Sequence, residues 1–314
     1  MRSFQELMAR AVGTREKVLA VVAAHDDDVL LSIKEAYAQG LARAILLGDR
    51  EKIVRLAAEI NMDLSSHWII HQPDPEEASR LAVSLVREGE ADILMKGLLP
   101  SPVILKEVLH RERGLRTENI LSHIAVFEVP GYDRLFFMSD SGLNIAPSLE
   151  VKIGMVKNAV ALAHRLGIEQ PRVAIIAGIE LVNPDMPSSV DAALIAKMAE
   201  RGQIKGCLVD GPLSLDLAVS EEAARAKGVG GAVAGRADIL IMPGIDAANV
   251  LYKAIGFLVR SVITGIILGA KAPIILTSRA DTAKAKLYSI ALSSLIVEDG
   301  QSEREKPRLV QFGR

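Results

Sequence analysis

The strongest candidate for chemistry in this sequence is a polar run that follows a short apolar segment near the C-terminus. Residues 273–276 (PIIL) predict a buried strand, and the polar run 277–281 (TSRAD) comes directly after it. A helical pattern then begins, so hydroxyls, the Arg279 guanidinium and the N–H groups of a helix N-terminus converge. Such groups bind phosphate, because a guanidinium donates paired hydrogen bonds and helix N-termini attract anions. We predict a phosphate site here, with helix capping by Ser278 or Asp281 as the alternative.

Three further polar clusters follow predicted strands. Open α/β sheets bind ligands at the carboxyl ends of their strands, so each cluster is a candidate binding site. The clusters are Lys96 and Gly97 after the strand at 92–95; Asp210, Gly211 and Asp216 after the strand at 206–209; and Asp246, Asn249 and Lys253 after the strand at 239–242.

Other patterns that often carry chemistry are weaker here. His67 and His71 flank a predicted strand in which four residues span about 13 Å, so they are not expected to share a metal ion. The lone Cys207 lies in an apolar run and is expected to be a small buried residue, not a nucleophile. Residues 26–28 (DDD) precede a helix and are expected to cap it, and the glycine-rich stretch 228–235 precedes no helix, unlike a dinucleotide loop. We therefore predict no metal site.

The composition is that of a folded enzyme or binding protein. Half of the 314 residues are apolar and 24% are charged, and 37 basic against 39 acidic residues give a net charge of −2. This balance favours neither nucleic acid nor a membrane surface as a partner. One cysteine and the lack of a secretory signal predict a cytoplasmic protein. The apolar stretch 255–276 is interrupted by Arg260 and Lys271, so no membrane helix is expected.

The elements that must position these residues follow a regular pattern. Short β-branched runs alternate with amphipathic segments, which predicts an α/β protein with mostly parallel sheets flanked by helices. Runs 124–129 and 134–138 break the alternation and predict an antiparallel pair. We place a domain edge after this pair. The predicted domains are residues 1–145, joined by the C-terminal segment 282–314, and residues 146–281.

Five longer segments carry a resemblance to a known family. They are MKGLLPSP at 95–102, FEVPGYDRLFFMSDSGLNIAP at 127–147, VNPDMPSSVDAALIAKMAERGQIKGCLVDGPLSLDLA at 182–218, AGRADILIMPGIDAANVLYK at 234–253 and GAKAPIILTSRAD at 269–281. In this order they resemble the phosphate acetyl/butyryltransferase family. SDSGLNIAP, VDGPL and LTSRAD are most similar to its butyryl-transferring members. The likeness runs from about residue 18 to residue 296.

The resemblance implies an enzyme that moves a short acyl group, butyryl or acetyl, reversibly between coenzyme A and inorganic phosphate. It implies direct attack in a ternary complex, with coenzyme A and phosphate as substrates and no permanently bound cofactor. It also implies a two-domain fold like that of the isocitrate and isopropylmalate dehydrogenases, with the active site in the interdomain cleft. Homodimers or larger homo-oligomers are expected.

The resemblance also implies roles for individual residues. Ser278 and Arg279 match the family's Ser-Arg pair, which binds the oxygens of phosphate or acyl phosphate, and Asp281 is the nearby acid. In the acetyl-specific branch the acid stands further along, where this sequence has Ala285, so the acceptor of the thiol proton stays open among Asp281, Asp210, Asp216 and Asp246. The other side chains predicted to bind phosphate or coenzyme A are Lys96, Gly97, Asn144, Asp210, Gly211, Asp246, Asn249, Lys253 and Thr277.

Two alternatives remain at this point. One is a non-catalytic sensor that binds acyl-CoA in the same fold. The other is a metal- and NAD-dependent decarboxylating dehydrogenase, which would need aspartates on successive helical turns to hold a divalent ion, a pattern that the sequence does not show convincingly.

Overall fold

The computed structural model describes residues 1–278 and 281–297 of the chain. These residues form two compact units. The first unit comprises Phe4–Asn119 and the described residues from Thr264 onward, and the second comprises Met1–Ser3 and Ile120–Ile263.

These boundaries differ from the predicted ones at 145/146 and 281/282. The predicted antiparallel pair belongs to the second unit because its second strand, Phe136–Ser139, also pairs with the strand Ile239–Ile241. The strand Ile274–Ile275 belongs to the first unit because it pairs with the strand Ile93–Lys96. Strand pairing thus moves both boundaries towards the N-terminus.

The first unit is built on a mostly parallel sheet, with the order β3-β2-β1-β4-β11-β10 and only β10 antiparallel to its neighbour β11. Numbered along the whole chain, its strands are β1 (Lys17–Val22), β2 (Ala42–Gly48), β3 (Trp68–His71), β4 (Ile93–Lys96), β10 (Val262–Leu268), whose first two residues belong to the second unit, and β11 (Ile274–Ile275). Strands β1 and β4 lie inside the sheet and are almost wholly buried, which explains their continuous apolar sequence.

Helices flank this sheet, and four of those described begin at a residue whose side chain caps the helix. The flanking helices are α1 (Phe4–Ala11), α2 (Asp27–Ala38), α3 (Arg50–Glu59), α4 (Pro75–Arg87), α5 (Ser101–Val108) and α11 (Ala283–Ile296). The carboxylate of Asp26 accepts a hydrogen bond from the Val29 N–H, which confirms the predicted capping of α2. Asp49, Asp74 and Thr282 cap α3, α4 and α11 in the same way.

The strands of the second unit follow the order β5-β6-β9-β7-β8. Its strands are β5 (Ser122–Glu128), β6 (Phe136–Ser139), β7 (Arg172–Ile176), β8 (Leu208–Leu213) and β9 (Ile239–Ile241), and its helices are α6 (Leu149–Arg165), α7 (Pro187–Glu200), α8 (Leu215–Val219), α9 (Glu221–Ala226) and α10 (Ile245–Lys253). The pair β5–β6 is antiparallel, as predicted, and the other pairings are parallel. Phe127 stacks on Phe136 with ring centroids 4.8 Å apart in the core of this unit.

One strand boundary differs from its prediction. Asp210 and Gly211 were expected just after a strand, yet both lie within β8, where Asp210 pairs with Ala174 of β7. Strand β8 continues to Leu213, so the two polar residues lie within the strand and not beyond its carboxyl end. The prediction ended the strand too early because it relied on apolar residues alone. Parallel pairing with β7 extends the strand through Asp210 and Gly211.

Among the described helices, none has the length and apolar character needed to cross a membrane.

Candidate functional site

The carboxyl ends of β1, β4 and β11 form the first cluster of candidate residues. These strands are parallel neighbours in the first unit, so their ends lie side by side. Gly97 follows β4 and its N–H donates to the Val22 carbonyl at 2.7 Å. A Cβ at this position would stand 2.3 Å from the Ala23 carbonyl oxygen, so only glycine fits between the two strand ends.

Lys96 is held at the same edge with its side chain turned towards backbone carbonyls. The residue is only 4% exposed, and its Nζ donates to the carbonyls of Gly97 at 3.3 Å and Leu99 at 3.2 Å. A buried ammonium requires hydrogen-bond acceptors around it because desolvation penalises an isolated charge. The carbonyls of Gly97 and Leu99 thus hold the Lys96 side chain at the end of β4.

Thr277, Ser278 and Asp281 are the described residues of the polar run between β11 and α11. Thr277 is 7% exposed, whereas Ser278 is exposed. The Ser278 N–H donates to Asp281 Oδ2 at 2.7 Å, and the Asp281 N–H donates back to the Ser278 carbonyl at 3.2 Å. Asp281 thus holds the backbone of Ser278, while the helix cap is supplied by Thr282 and not by Ser278 or Asp281. Arg279 lies outside the described residues.

The N-terminus of α11 differs from its predicted use. Two of its first N–H groups already have partners within the chain: Ala283 N–H donates to Asp28 Oδ1 at 3.1 Å, and Ala285 N–H donates to Thr282 Oγ1 at 3.3 Å. The Lys286 ammonium also bonds to the Asp281 carbonyl. A phosphate at this edge would therefore rely on hydroxyls and cations, and less on the helix N–H groups that the sequence suggested.

The second unit has a different cluster after β6, in the loop that begins at Asp140. Asp140 is 1% exposed and its carboxylate accepts four hydrogen bonds. Oδ1 accepts from the N–H groups of Gly142 at 2.8 Å and Leu143 at 2.9 Å. Oδ2 accepts from the His123 N–H at 2.9 Å and from Asn144 Nδ2 at 2.7 Å. This carboxylate fixes the loop and leaves its lone pairs occupied.

Two predicted binding residues meet at this loop. Asn144 Nδ2 also donates to the Leu121 carbonyl at 2.9 Å, and Asn249 of α10 donates from Nδ2 to the Ser141 carbonyl at 3.2 Å. Asp246 and Lys253 lie at the exposed start and end of the same helix, α10. Asn144 and Asn249 thus both bond at the Asp140 loop, and Asp246 and Lys253 lie on the same helix as Asn249.

Sequence reasoning missed a serine–histidine contact in the same loop. His123 Nδ1 lies 3.1 Å from Ser141 Oγ, and the ring meets Tyr252 of α10 edge-on, with centroids 6.4 Å apart. His123 is not near Ser141 in sequence, and only the antiparallel pairing of β5 with β6 brings the start of one strand beside the end of the other. The contact could have been found only by placing the predicted antiparallel pair in register.

The remaining candidates lie elsewhere in the second unit. Asp210 Oδ1 accepts the adjacent Gly211 N–H at 2.8 Å. Hydrogen bonds from the Ser214 hydroxyl and then from Lys227 lower the pKa of Asp216, which makes it a weaker base. Burial raises the pKa of the Cys207 thiol, which opposes the thiolate form that a nucleophile needs. Cys207 and Asp210 line a cavity of about 430 Å³ beside α7.

The two histidines considered for metal binding are separate in the structure. His67 Nδ1 accepts the Ala44 N–H and His71 Nδ1 accepts the Arg50 N–H, each at 3.2 Å. His71 belongs to β3 and His67 immediately precedes it, in agreement with the predicted strand. Among the described residues, no group of three or more His, Cys, Asp or Glu side chains is arranged to hold a metal ion.

Comparison with known sequences gives a consistent family. Residues 72–294 match the family model described as phosphate acetyl/butaryl transferase. The phosphate butyryltransferase of Clostridium beijerinckii is 50% identical over 295 residues, which cover 94% of this chain and 98% of the relative. The phosphate acetyltransferase of Thermotoga maritima is 46% identical over 288 residues, which cover 92% of this chain and 97% of the relative.

Solved structures agree with these sequences. A branched-chain phosphotransacylase from Enterococcus faecalis V583 superposes with a TM-score of 0.79 at 34% identity, over 90% of this chain and 99% of that one. A 4-hydroxythreonine-4-phosphate dehydrogenase from Klebsiella pneumoniae has a TM-score of 0.56 at 13% identity, over 91% of this chain and 99% of that one. The second likeness concerns the fold alone, and the two together confirm the predicted α/β class and its similarity to a dehydrogenase fold.

Proposed function

Because the chain belongs to the phosphate acetyl/butyryltransferase family, we infer that it is an acyltransferase for the reversible transfer of a short acyl group between coenzyme A and inorganic phosphate. The observation that carries this conclusion is 50% identity to a phosphate butyryltransferase across 94% of the chain. Coenzyme A and phosphate are its substrates. The sensor and the decarboxylating dehydrogenase are not favoured, since the relatives with high identity have transferase names.

The chemistry needs no covalent intermediate on the protein. In one direction the coenzyme A thiol attacks the acyl carbon of the acyl phosphate, and in the other direction phosphate attacks the thioester. Both attacks place negative charge on the carbonyl oxygen, which fixed donors must stabilise. The raised pKa of Cys207 and its position beside β8 support direct attack in a ternary complex over a cysteine-bound acyl group.

We assign the phosphoryl oxygens to the carboxyl edge of the first unit. Lys96 offers a buried ammonium there, and Thr277 and Ser278 offer hydroxyls at the end of the neighbouring strand β11. Arg279, next in sequence, would add a guanidinium that can donate two parallel hydrogen bonds to phosphate. Gly97 contributes by allowing the close approach of β1 and β4. The carbonyl oxygen of the substrate would be stabilised by the Ser278 hydroxyl.

Coenzyme A is assigned to the polar residues of the second unit. Asn144 and Asn249 are fixed around the Asp140 loop, where amide groups can bind the amide-rich pantetheine arm. Lys253 is exposed at the end of α10 and can pair with the phosphates of the nucleotide end. Binding roles for Asp246, Asp210 and Gly211 stay predictions.

The preferred acyl chain is a matter for measurement. One relative has the name of a butyryltransferase and another that of an acetyltransferase at nearly the same identity. Burying two more methylenes stabilises a butyryl group by about 0.8 kcal/mol each, or roughly fifteenfold in total, so one or two wall residues decide the preference. We also propose that the enzyme is cytoplasmic and forms a homodimer or larger homo-oligomer, which light scattering after gel filtration would measure.

The test is release of the coenzyme A thiol from acetyl-, propionyl-, butyryl- and isobutyryl-CoA with and without phosphate. We expect phosphate-dependent release from at least one thioester. Ser278→Ala should lower the rate about a hundredfold, because removal of one oxyanion donor typically costs that much. Arg279→Ala should lose most turnover and need more phosphate. A folded wild-type protein that releases no thiol from any of the four thioesters would contradict the proposed function.

A further inference from the structure

The attacking thiol needs a proton acceptor. Three of the four predicted carboxylates, Asp281, Asp210 and Asp216, have partners within the chain, and the fourth, Asp246, belongs to the second unit. A free thiol has a pKa of about 8.5, so most of it is protonated at neutral pH and a nearby base speeds its attack. Asp281 holds the backbone of Ser278 through Oδ2, and Asp210 lies within β8. Asp216 is bonded to Ser214 and Lys227, and Asp246 is exposed in the first turn of α10. We therefore looked for another carboxylate near the carboxyl ends of β4 and β11, where phosphate is proposed to bind.

The structure brings one to that edge from a distant part of the sequence. Asp28, in the first turn of α2, places Oδ1 at 3.1 Å from the Ala283 N–H, the first residue of α11 and five residues after Ser278. The two residues are 255 positions apart in sequence. Helix α2 packs on α11, and the segment between β1 and α2 also touches the β4 end, where the Leu98 N–H donates to the Ala23 carbonyl at 2.9 Å.

The second oxygen of Asp28 has no assigned structural task. Among the described residues, no hydrogen bond or ion pair reaches Asp28 Oδ2, and the side chain is partly exposed. A carboxylate has about four lone-pair sites, so Asp28 has room for a proton from a ligand while Oδ1 stays fixed to α11. A carboxylate beside a phosphate site also repels the anion, so its presence at this edge is a cost unless it takes part in the reaction.

Other charges at this end of the unit are mixed in sign. The charged or titratable side chains on neighbouring elements are Lys284 and Lys286 of α11, Asp281 before α11, Lys96 at the end of β4, Asp49 and Lys52 after β2, and His25, Asp26 and Asp27 on the same segment as Asp28. Asp26 caps α2, and Asp27 is exposed in the first turn of α2. Asp28 accepts a hydrogen bond from the first residue of α11.

We propose that Asp28 is the catalytic base that accepts the coenzyme A thiol proton, an inference that rests on the acyltransferase function proposed above. As sulfur forms its bond to the acyl carbon, the thiol proton passes to Asp28 Oδ2. The acyl carbon–oxygen bond to phosphate breaks, and its electron pair stays on the phosphate oxygen. Asp28 then returns the proton to the departing phosphate, which leaves as the hydrogen phosphate dianion. The reverse reaction follows the same steps in the opposite order.

The test compares thiolysis of acyl phosphate by coenzyme A in Asp28→Asn and in the wild type between pH 6 and pH 9. The asparagine keeps an oxygen that can accept the Ala283 N–H. We expect Asp28→Asn to lose about a hundredfold in kcat/KM for coenzyme A at pH 7, within the usual range for general-base catalysis. Its kcat/KM should then rise about tenfold per pH unit up to the thiol pKa, because only pre-formed thiolate can react. The wild-type profile should be flatter.

Two variants control for indirect effects. Asp27→Asn removes a neighbouring carboxylate that, among the described residues, makes no hydrogen bond to α11, and Thr282→Ala weakens the start of α11 without removing a charge. Both should retain the wild-type pH profile. An equal loss of rate in Asp28→Asn and Thr282→Ala with unchanged pH dependence would reduce Asp28 to a cap and overturn the proposal, as would a fully active Asp28→Asn. If Asp28→Asn does not fold, Asp28→Ser gives the same readout. An inactive wild type would instead refute the acyltransferase function itself.

Discussion

Two carboxylates, one in each unit, have opposite environments. Asp140 in the second unit is 1% exposed and accepts four hydrogen bonds, which use all the lone-pair sites of a carboxylate. Asp28 in the first unit is partly exposed and, among the described residues, accepts one hydrogen bond, from Ala283. A saturated carboxylate builds structure, whereas one with unused capacity can meet a ligand. The number of accepted hydrogen bonds thus distinguishes the two roles. The sequence alone does not, because it shows an aspartate at both positions.

Two glycines, one in each unit, also differ in how closely their surroundings are packed. A Cβ on Gly97 in the first unit would lie 2.3 Å from a backbone oxygen, which cannot move without shifting β1. A Cβ on Gly142 in the second unit would lie 3.7 Å from the His123 ring, at ordinary contact distance. In the first unit, the backbone packs closely around Gly97 and Asp28 accepts a single hydrogen bond among the described residues. In the second unit, Gly142 has space for a methyl group and Asp140 accepts four hydrogen bonds.

The largest expected effect comes from breaking the saturated carboxylate. Asp140→Ala would leave the N–H groups of His123, Gly142 and Leu143 without their acceptor, and the Asp140 side chain is almost fully buried. Each unsatisfied buried donor costs about 1 to 3 kcal/mol, so we expect a loss of about 4 kcal/mol in the free energy of unfolding. Urea unfolding followed by circular dichroism measures it.

The matched control for Asp140 is Asp27, an exposed carboxylate in the first unit. Asp27→Ala removes an exposed carboxylate that is not a helix cap, and should change the free energy of unfolding by less than about 0.5 kcal/mol. Comparable stability of Asp140→Ala and Asp27→Ala would show that the four hydrogen bonds of Asp140 do not hold the loop, and the contrast between the units would then fail.

The second effect tests the two glycines. Gly97→Ala forces a methyl group against the Ala23 carbonyl, and overpacking of this kind costs about 3 kcal/mol. Because Lys96 precedes Gly97, we also expect weaker phosphate binding. Gly142→Ala should be tolerated. Thermal unfolding of the two variants, together with the KM for phosphate, checks both statements. A Gly97→Ala protein as stable as Gly142→Ala would mean that the β1–β4 edge can relax.

The sequence predicted much of this fold and only part of the site. Alternating apolar runs located the strands, because buried parallel strands need continuous apolar residues, and acidic residues before α2 predicted its cap correctly. Asp210 was misplaced because parallel pairing with β7 extends β8 through polar residues. The Asp28–Ala283 and His123–Ser141 contacts were missed because they join distant segments through sheet order and register, which local patterns do not encode.

The smallest effect concerns acid stability, and it belongs to the first unit. His67, just before β3, is 8% exposed, and burial lowers its pKa to about 4. Its Nδ1 accepts the Ala44 N–H, so the neutral ring is the form that fits. In the unfolded chain the pKa is near 6.5, so between pH 6.5 and pH 4 the unfolded state binds more protons. The free energy of unfolding must therefore fall as the pH is lowered through this range.

The expected loss is about 1 kcal/mol between pH 7 and pH 5.5, because the unfolded imidazole is largely protonated there and the folded one is not. Trp68 is the single tryptophan of the chain and stands next to His67, so its fluorescence reports urea unfolding of the first unit. His67→Gln keeps an acceptor for the Ala44 N–H but cannot titrate, and its stability should depend less on pH by this amount. Identical pH dependence in His67→Gln and the wild type would mean that acid acts on the first unit through other groups, and that its buried histidine is protonated as easily folded as unfolded.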